Sequence, residues 1–109
     1  MADVTFATVV VTLNVAPVAE ERVIDWLLGR AEVAGFTSVA VFGHGASHDD
    51  LSVAEQVTGR QRRVAIRFEI AAEALEPLLA ALIAALEGTD VHYLVAPVLR
   101  SGRLKRSVT

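Results

Sequence analysis

The stretch that most restricts what this chain can become is Arg62 to Ile70, where Val64, Ile66, Phe68 and Ile70 alternate with Arg63, Ala65, Arg67 and Glu69. A period of two sends the apolar set to one face and the polar set to the other, the mark of a β-strand with one face in a core. Such a strand needs paired neighbours and a cover on its apolar side. Three further segments can pair with it. From Thr5 to Val15 the odd positions Ala7, Val9, Val11, Leu13 and Val15 are apolar, while Phe6 and Val10 interleave with Thr8 and Thr12. Phe36 to Gly43 is rich in β-branched and aromatic residues, among them Thr37, Val39, Val41 and Phe42. Val91 to Leu99 sets Val91, Tyr93 and Val95 against His92, Leu94 and Ala96, and Pro97 confines that strand to an edge.

The cover comes from two helical segments. After Pro17, Val23, Ile24, Leu27, Leu28 and Ala31 recur at helical spacing opposite Glu21, Asp25 and Glu32, which predicts a helix from Pro17 to Val33 with Gly35 as its stop. Arg22 and Arg30 flank Trp26 at four residues on either side, a spacing that allows cation stacking on the indole; plain helix-surface packing is the simpler expectation. Leu75, Leu78, Leu79, Leu82, Ile83 and Leu86 form the second stripe, closed by Gly88, with Pro77 in the first turn where its missing N–H does no harm.

The order is therefore βαββαβ. Right-handed crossovers leave room for one strand between each parallel pair, giving an α+β, ferredoxin-like sandwich: an antiparallel four-stranded sheet with two helices on one face. With 109 residues, 53% hydrophobic and 21% charged, one core is affordable and a disordered chain is excluded. The expected organisation is a single domain over residues 1–99, with a long loop at 43–61, and a basic C-terminal tail at 100–109. Zero cysteines remove disulfides, thiolate chemistry and iron–sulfur clusters. Phe6 and Val10, with apolar residues on both sides of the second and fourth strands, leave more hydrophobic area on the helix-free face than a monomer should expose. Copies of the same chain in a closed cyclic oligomer are expected to cover it. Asp3 and the absence of a basic N-terminal region argue against a signal peptide, and Thr8 and Thr12 break the apolar run from Phe6 to Leu13, so cytoplasmic residence without membrane insertion is the expectation.

Between the second and third strands, Gly43 to Gln61 spans nineteen residues where a hairpin needs two to five. Ser52 and Glu55 form an S-x-x-E capping box, so one helical turn is expected from Ser52 to Val57. His44 and His48, with Asp49 and Asp50, offer imidazole and carboxylate ligands suited to zinc, copper or nickel, and His44, His48 and Asp49 are the candidate metal set. A glycine-flexed loop seldom preorganises such ligands, and solvated loop polars are the competing reading.

Charge points to a second kind of site. Residues 1–59 carry two basic residues against eight acids, and residues 60–109 carry eight against five, so the halves are −6 and +3. Arg60, Arg62, Arg63 and Arg67 form one cluster and Arg100, Arg103, Lys105 and Arg106 another, a pattern of local anion sites more than of a nucleic-acid surface. Gly43, Gly45 and Gly59 free backbone N–H groups beside Arg60, Arg62 and Arg63, and Arg100 and Arg103 bracket a serine–glycine turn. These eight are the candidate ligand-binding residues, for a nucleotide or another polyanion. With the third and fourth strands parallel, the two clusters lie at opposite ends of one protomer and could meet only across a subunit boundary. Inter-subunit salt bridges to the acidic half are the competing reading.

The chain resembles a known superfamily in its βαββαβ order, its long second loop, Gly59-Arg60-Gln61 at the loop's return and its Arg100-Ser101-Gly102-Arg103 turn. It looks like the PII-like trimeric signalling proteins, related in fold to the CutA divalent-cation tolerance proteins. Phe36-Thr37-Ser38 through Gly43-His44-Gly45, Ala54-Glu55-Gln56-Val57 and Gly59 to Val64 are similar to a bacterial family often encoded beside heavy-metal efflux pumps. The resemblance implies a homotrimer with small ligands in clefts between subunits and a long loop that contacts a membrane transporter or another protein, in a regulatory role tied to metal tolerance. A CutA-like metal-binding role through the loop histidines is the alternative it implies. Glu87-Gly88-Thr89-Asp90 departs from the glycine- and lysine-containing turn of ATP-binding PII proteins, being acidic and without lysine, which argues against ATP binding in the usual manner.

Two other classes fit less well. An enzyme would need a paired acid and base, and His44, His48, His92 and scattered carboxylates show no recognisable pairing. An RNA binder of this architecture would display aromatics on the central strands, but the third strand shows Arg63, Ala65, Arg67 and Glu69 on its open face.

Overall fold

The computed structural model describes residues 6 to 45 and 52 to 105. Its strands are β1 (Thr8–Val15), β2 (Thr37–His44), β3 (Arg60–Ala71) and β4 (Val91–Pro97). Its helices are α1 (Glu20–Leu28), α2 (Val53–Thr58) and α3 (Leu75–Ala85), with single 3-10 turns leading into α1 and α3. The strands form one sheet in the order β2-β3-β1-β4, and every adjacent pair is antiparallel, so β3 and β4 run parallel. This is the α+β sandwich the alternation predicts.

Register explains which side is covered. Val11 pairs with Phe68 and Val95, Leu13 with Ile66 and Tyr93, and Val15 with Val64 and Val91, so these side chains share one face. Val23 and Leu27 of α1 and Leu78, Leu79 and Leu82 of α3 close over that face in a single core. The opposite face carries Val10, Thr12 and Asn14 of β1 beside Ala65, Arg67 and Glu69 of β3, and no helix among the described residues lies on it. Its outer strands expose Val39 (57%) and Leu94 (61%).

Several boundaries differ from expectation. The first helix ends at Leu28 rather than Val33. Gly29 is a poor helix former, and the Gly29, Arg30 and Val33 N–H groups each bond a carbonyl three residues back, at 3.0–3.2 Å. Arg30 holds this turned segment, lying 4.9 Å from the Trp26 ring centroid and pairing with Glu32 at 3.1 Å. Of the two arginines spaced for stacking on Trp26, Arg30 stacks, while Arg22 donates to the Ala85 carbonyl on α3. Val33 still enters the core, which is why the apolar pattern outruns the helix. Ile83 sits at the margin of the second stripe and is 64% exposed. The hairpin strands run further than the expected loop bounds, pairing Gly43 with Gln61 and His44 with Arg60. The fourth strand stops at Pro97, on the edge, although the Val98 N–H still reaches the Thr8 carbonyl at 3.0 Å. No helix among the described residues is long and apolar enough to cross a membrane.

Candidate functional site

Arg63 is the centre of a tightly constrained polar arrangement. Strand parity turns it onto the helix-free face, away from Val64, yet it is only 6% exposed. A guanidinium out of water needs acceptors on its N–H groups. Its Nε donates to Asn14 Oδ1 at 2.5 Å, and its Nη2 donates to the carbonyls of Asn14 at 3.0 Å and Asp90 at 3.2 Å. Its Nη1 donates to Asp90 Oδ2 at 2.9 Å, an ion pair whose carboxylate side chain is 75% exposed. Each partner arrives for a local reason. Asn14 is the last open-face residue of β1. Asp90 follows a turn in which Gly88 takes a left-handed φ of 85° and Thr89 donates to the Leu86 carbonyl through both its N–H and its hydroxyl.

Arg63 forms the floor of a polar concavity of about 330 Å³. Gly43, His44 and Gly45 make one wall at the end of β2, Gln61 lies beside them, and Asn14, Asp90 and His92 make the other. Gly43 is where the backbone comes close: a Cβ there would stand 3.5 Å from Arg63 Cγ, so a larger side chain would extend over the floor. Gly45, with φ 83°, turns the chain out of the strand.

The other candidate arginines lie elsewhere. Arg60 and Arg62 have the opposite parity to Arg63 and line a hollow of about 360 Å³ with Phe42, Ser52, Ala54 and Glu55. Arg60 stacks 4.1 Å from the Phe42 ring centroid. The expected capping box is present: Glu55 N–H donates to Ser52 Oγ at 3.2 Å, and Ser52 N–H donates to Glu55 Oε1 at 3.0 Å. Glu55 Oε2 also accepts the Arg62 backbone N–H at 2.8 Å. These backbone donors, Ser52 before Arg62, hold the Glu55 carboxyl below the usual carboxylate range. Gly59 caps α2 with φ 71° and turns the chain into β3.

Arg100 lies at the far end of the sheet, in a concavity of about 410 Å³, with Arg67, Glu69, Thr37, Phe36 and Ser101. Arg103 is exposed beyond it. One strand's parity and the length of the sheet thus separate the eight candidate ligand residues into three neighbourhoods. Sequence reasoning missed Asn14, Gln61, Asp90 and His92 as walls of the Arg63 concavity; the polar Asn14 between the apolar Leu13 and Val15 was the available signal. Of the candidate metal set, His48 and Asp49 lie outside the described residues. His44 is described and exposed, and no group of three or more His, Cys, Asp or Glu side chains gathers among the described residues.

Comparison with known proteins places this geometry in a wider group. A family model described as "Protein of unknown function (DUF3240)" matches residues 5–105. A crystal structure of a DUF3240 family protein from Shewanella baltica OS155 is similar at 16% identity and TM-score 0.76, covering 93% of this chain and 100% of that one. CPII, a nitrogen regulatory PII-like protein from Thiomonas intermedia K12 bound to ADP, AMP and bicarbonate, is similar at 22% identity and TM-score 0.65, covering 90% and 96%. Arabidopsis thaliana PII bound to citrate is similar at 21% identity and TM-score 0.62, covering 85% and 78%. No curated protein matches the sequence. At these identities the likeness is one of fold, and the fold is PII-like.

Proposed function

Since the chain belongs to the DUF3240 family and has a PII-like fold, we propose that it is a non-enzymatic regulatory protein that binds a small anionic ligand in the concavity around Arg63. The observation that carries this reading is a nearly buried, charged floor framed by glycine backbone and polar side chains: a fixed positive charge with hydrogen-bonding walls, open to solvent. Nucleotides are the first class to try, because the Thiomonas protein of this fold is bound to ADP and AMP.

The working unit in this reading is a homotrimer. Val39 and Leu94 on the helix-free face favour association of copies. Arg100 and Arg103 lie at the far end of the sheet from Arg63, so they reach such a concavity only on a neighbouring copy. The connection between β2 and β3, with α2 as its helical return, is the surface offered to a protein partner; a heavy-metal efflux transporter is the partner class suggested by the family resemblance. Calorimetric titration of the wild type and Gly43→Val with AMP, ADP and ATP tests the site. Saturable binding that weakens at least about tenfold when valine covers Arg63 is the expected result. No binding of any of the three by the wild type contradicts it.

A further inference from the structure

Two features of the Arg63–Asp90 pair are unequal. The guanidinium is nearly buried, whereas the Asp90 side chain is three-quarters exposed and touches it through one oxygen. A buried cation left without a counter-charge is strongly unfavourable, while an exposed carboxylate loses little by turning into water. Arg63 therefore requires an anion at Nη1, but nothing requires that anion to be Asp90. The other bonds of the guanidinium, to the Asn14 side-chain Oδ1 and to the backbone carbonyls of Asn14 and Asp90, do not involve the Asp90 carboxylate and stay when it leaves.

We infer that Asp90 is a tethered competitor: its carboxylate holds the position on Arg63 that an incoming oxyanion takes, so that it sets both the affinity and the ligand class of the site. This deepens the ligand-binding reading and rests on it. One exchangeable position accepts one oxyanion, a carboxylate or a phosphate monoester. The displaced carboxylate stays within the turn at the cavity wall, where it repels further negative charge. The site accordingly favours a singly phosphorylated or carboxylate ligand over a triphosphate.

Asp90→Asn keeps the shape and a neutral acceptor while removing the competing charge. Titrations of wild type and Asp90→Asn with inorganic phosphate, acetate, AMP and ATP, alongside thermal melts across phosphate concentration, test the inference. Asp90→Asn is expected to bind phosphate and AMP at least about tenfold more tightly, with a larger gain for ATP than for AMP, and to acquire a phosphate-dependent melting temperature. The gain is expected to vanish in Arg63→Met/Asp90→Asn. The phosphate and acetate arms separate the two oxyanion sources. If the wild type binds AMP and Asp90→Asn binds it equally or less well, the competitor role fails and the ligand site stands. If neither protein binds any of the four, both fail.

Discussion

Arg63 shows how much one residue's meaning depends on register. In the sequence it is one of three arginines in four positions, and nothing there separates it from Arg60 and Arg62 except parity. The strand turns those two toward α2 and sets Arg63 on the open face, where residues 49 and 27 positions away complete it. Those separations are why Asn14 and Asp90 were not legible: side-chain partners across strands follow from pairing, which a single sequence fixes only in outline. Lysine retains the charge but not the planar fork, and its ammonium carries three donors where four contacts are made. Arg63→Lys is therefore expected to destabilise by about 1–3 kcal/mol in a urea titration, with more loss in Arg63→Ala. A loss no larger than that of an exposed Arg67→Ala control would remove Arg63 from the centre of the account.

At the scale of elements, periodicity was a better guide than boundary signals. The stripe of α3 and the alternation of β3 were readable because burial repeats along them; the end of α1 was not, because Val33 continues the apolar pattern from a turn held by Arg30. The capping box was legible since its two residues are local, and the structure adds the Arg62 N–H, through which Glu55 ties α2 to the start of β3. Ser52→Ala removes the hydroxyl acceptor and is expected to weaken α2 by about 1 kcal/mol, read as faster amide exchange at Glu55. The Glu55 carboxyl is held below its unfolded-chain value, so its contribution is present above that value, about pH 4.3, and is lost as pH falls through the lower folded one. Protection of the Ser52 and Arg62 amides should be full near neutral pH and be lost as pH falls through the lowered value of the folded Glu55 carboxyl. In Glu55→Gln it should be low and flat with pH; a wild-type profile in the variant would show that the carboxylate does not hold this junction.

For the whole molecule, the helix-free face decides whether a single chain is the functional unit. Its apolar positions sit beside Thr12, Thr37, Arg67 and Glu69, a mixed surface that copies can cover through both packing and charge. Native mass spectrometry of the wild type is expected to show a trimer, and Val39→Glu/Leu94→Glu is expected to shift it to monomer while the far-ultraviolet spectrum stays folded. A wild-type monomer across working concentrations would leave Arg100 and Arg103 without a route to the Arg63 concavity. The fold was legible to this scale because alternating and helical patterns fix which faces must be buried; the Arg63 concavity was not, because it depends on residues from β1, β2, β3, β4 and the α3–β4 turn meeting at one end of the sheet. The most direct test is to map AMP onto the backbone amides by heteronuclear NMR titration. Saturable shifts concentrated at Asn14, Gly43, Gly45, Gln61, Arg63, Asp90 and His92 are predicted, whereas no shifts, or shifts confined to Arg67, Arg100 and Ser101 at the other end, would contradict it.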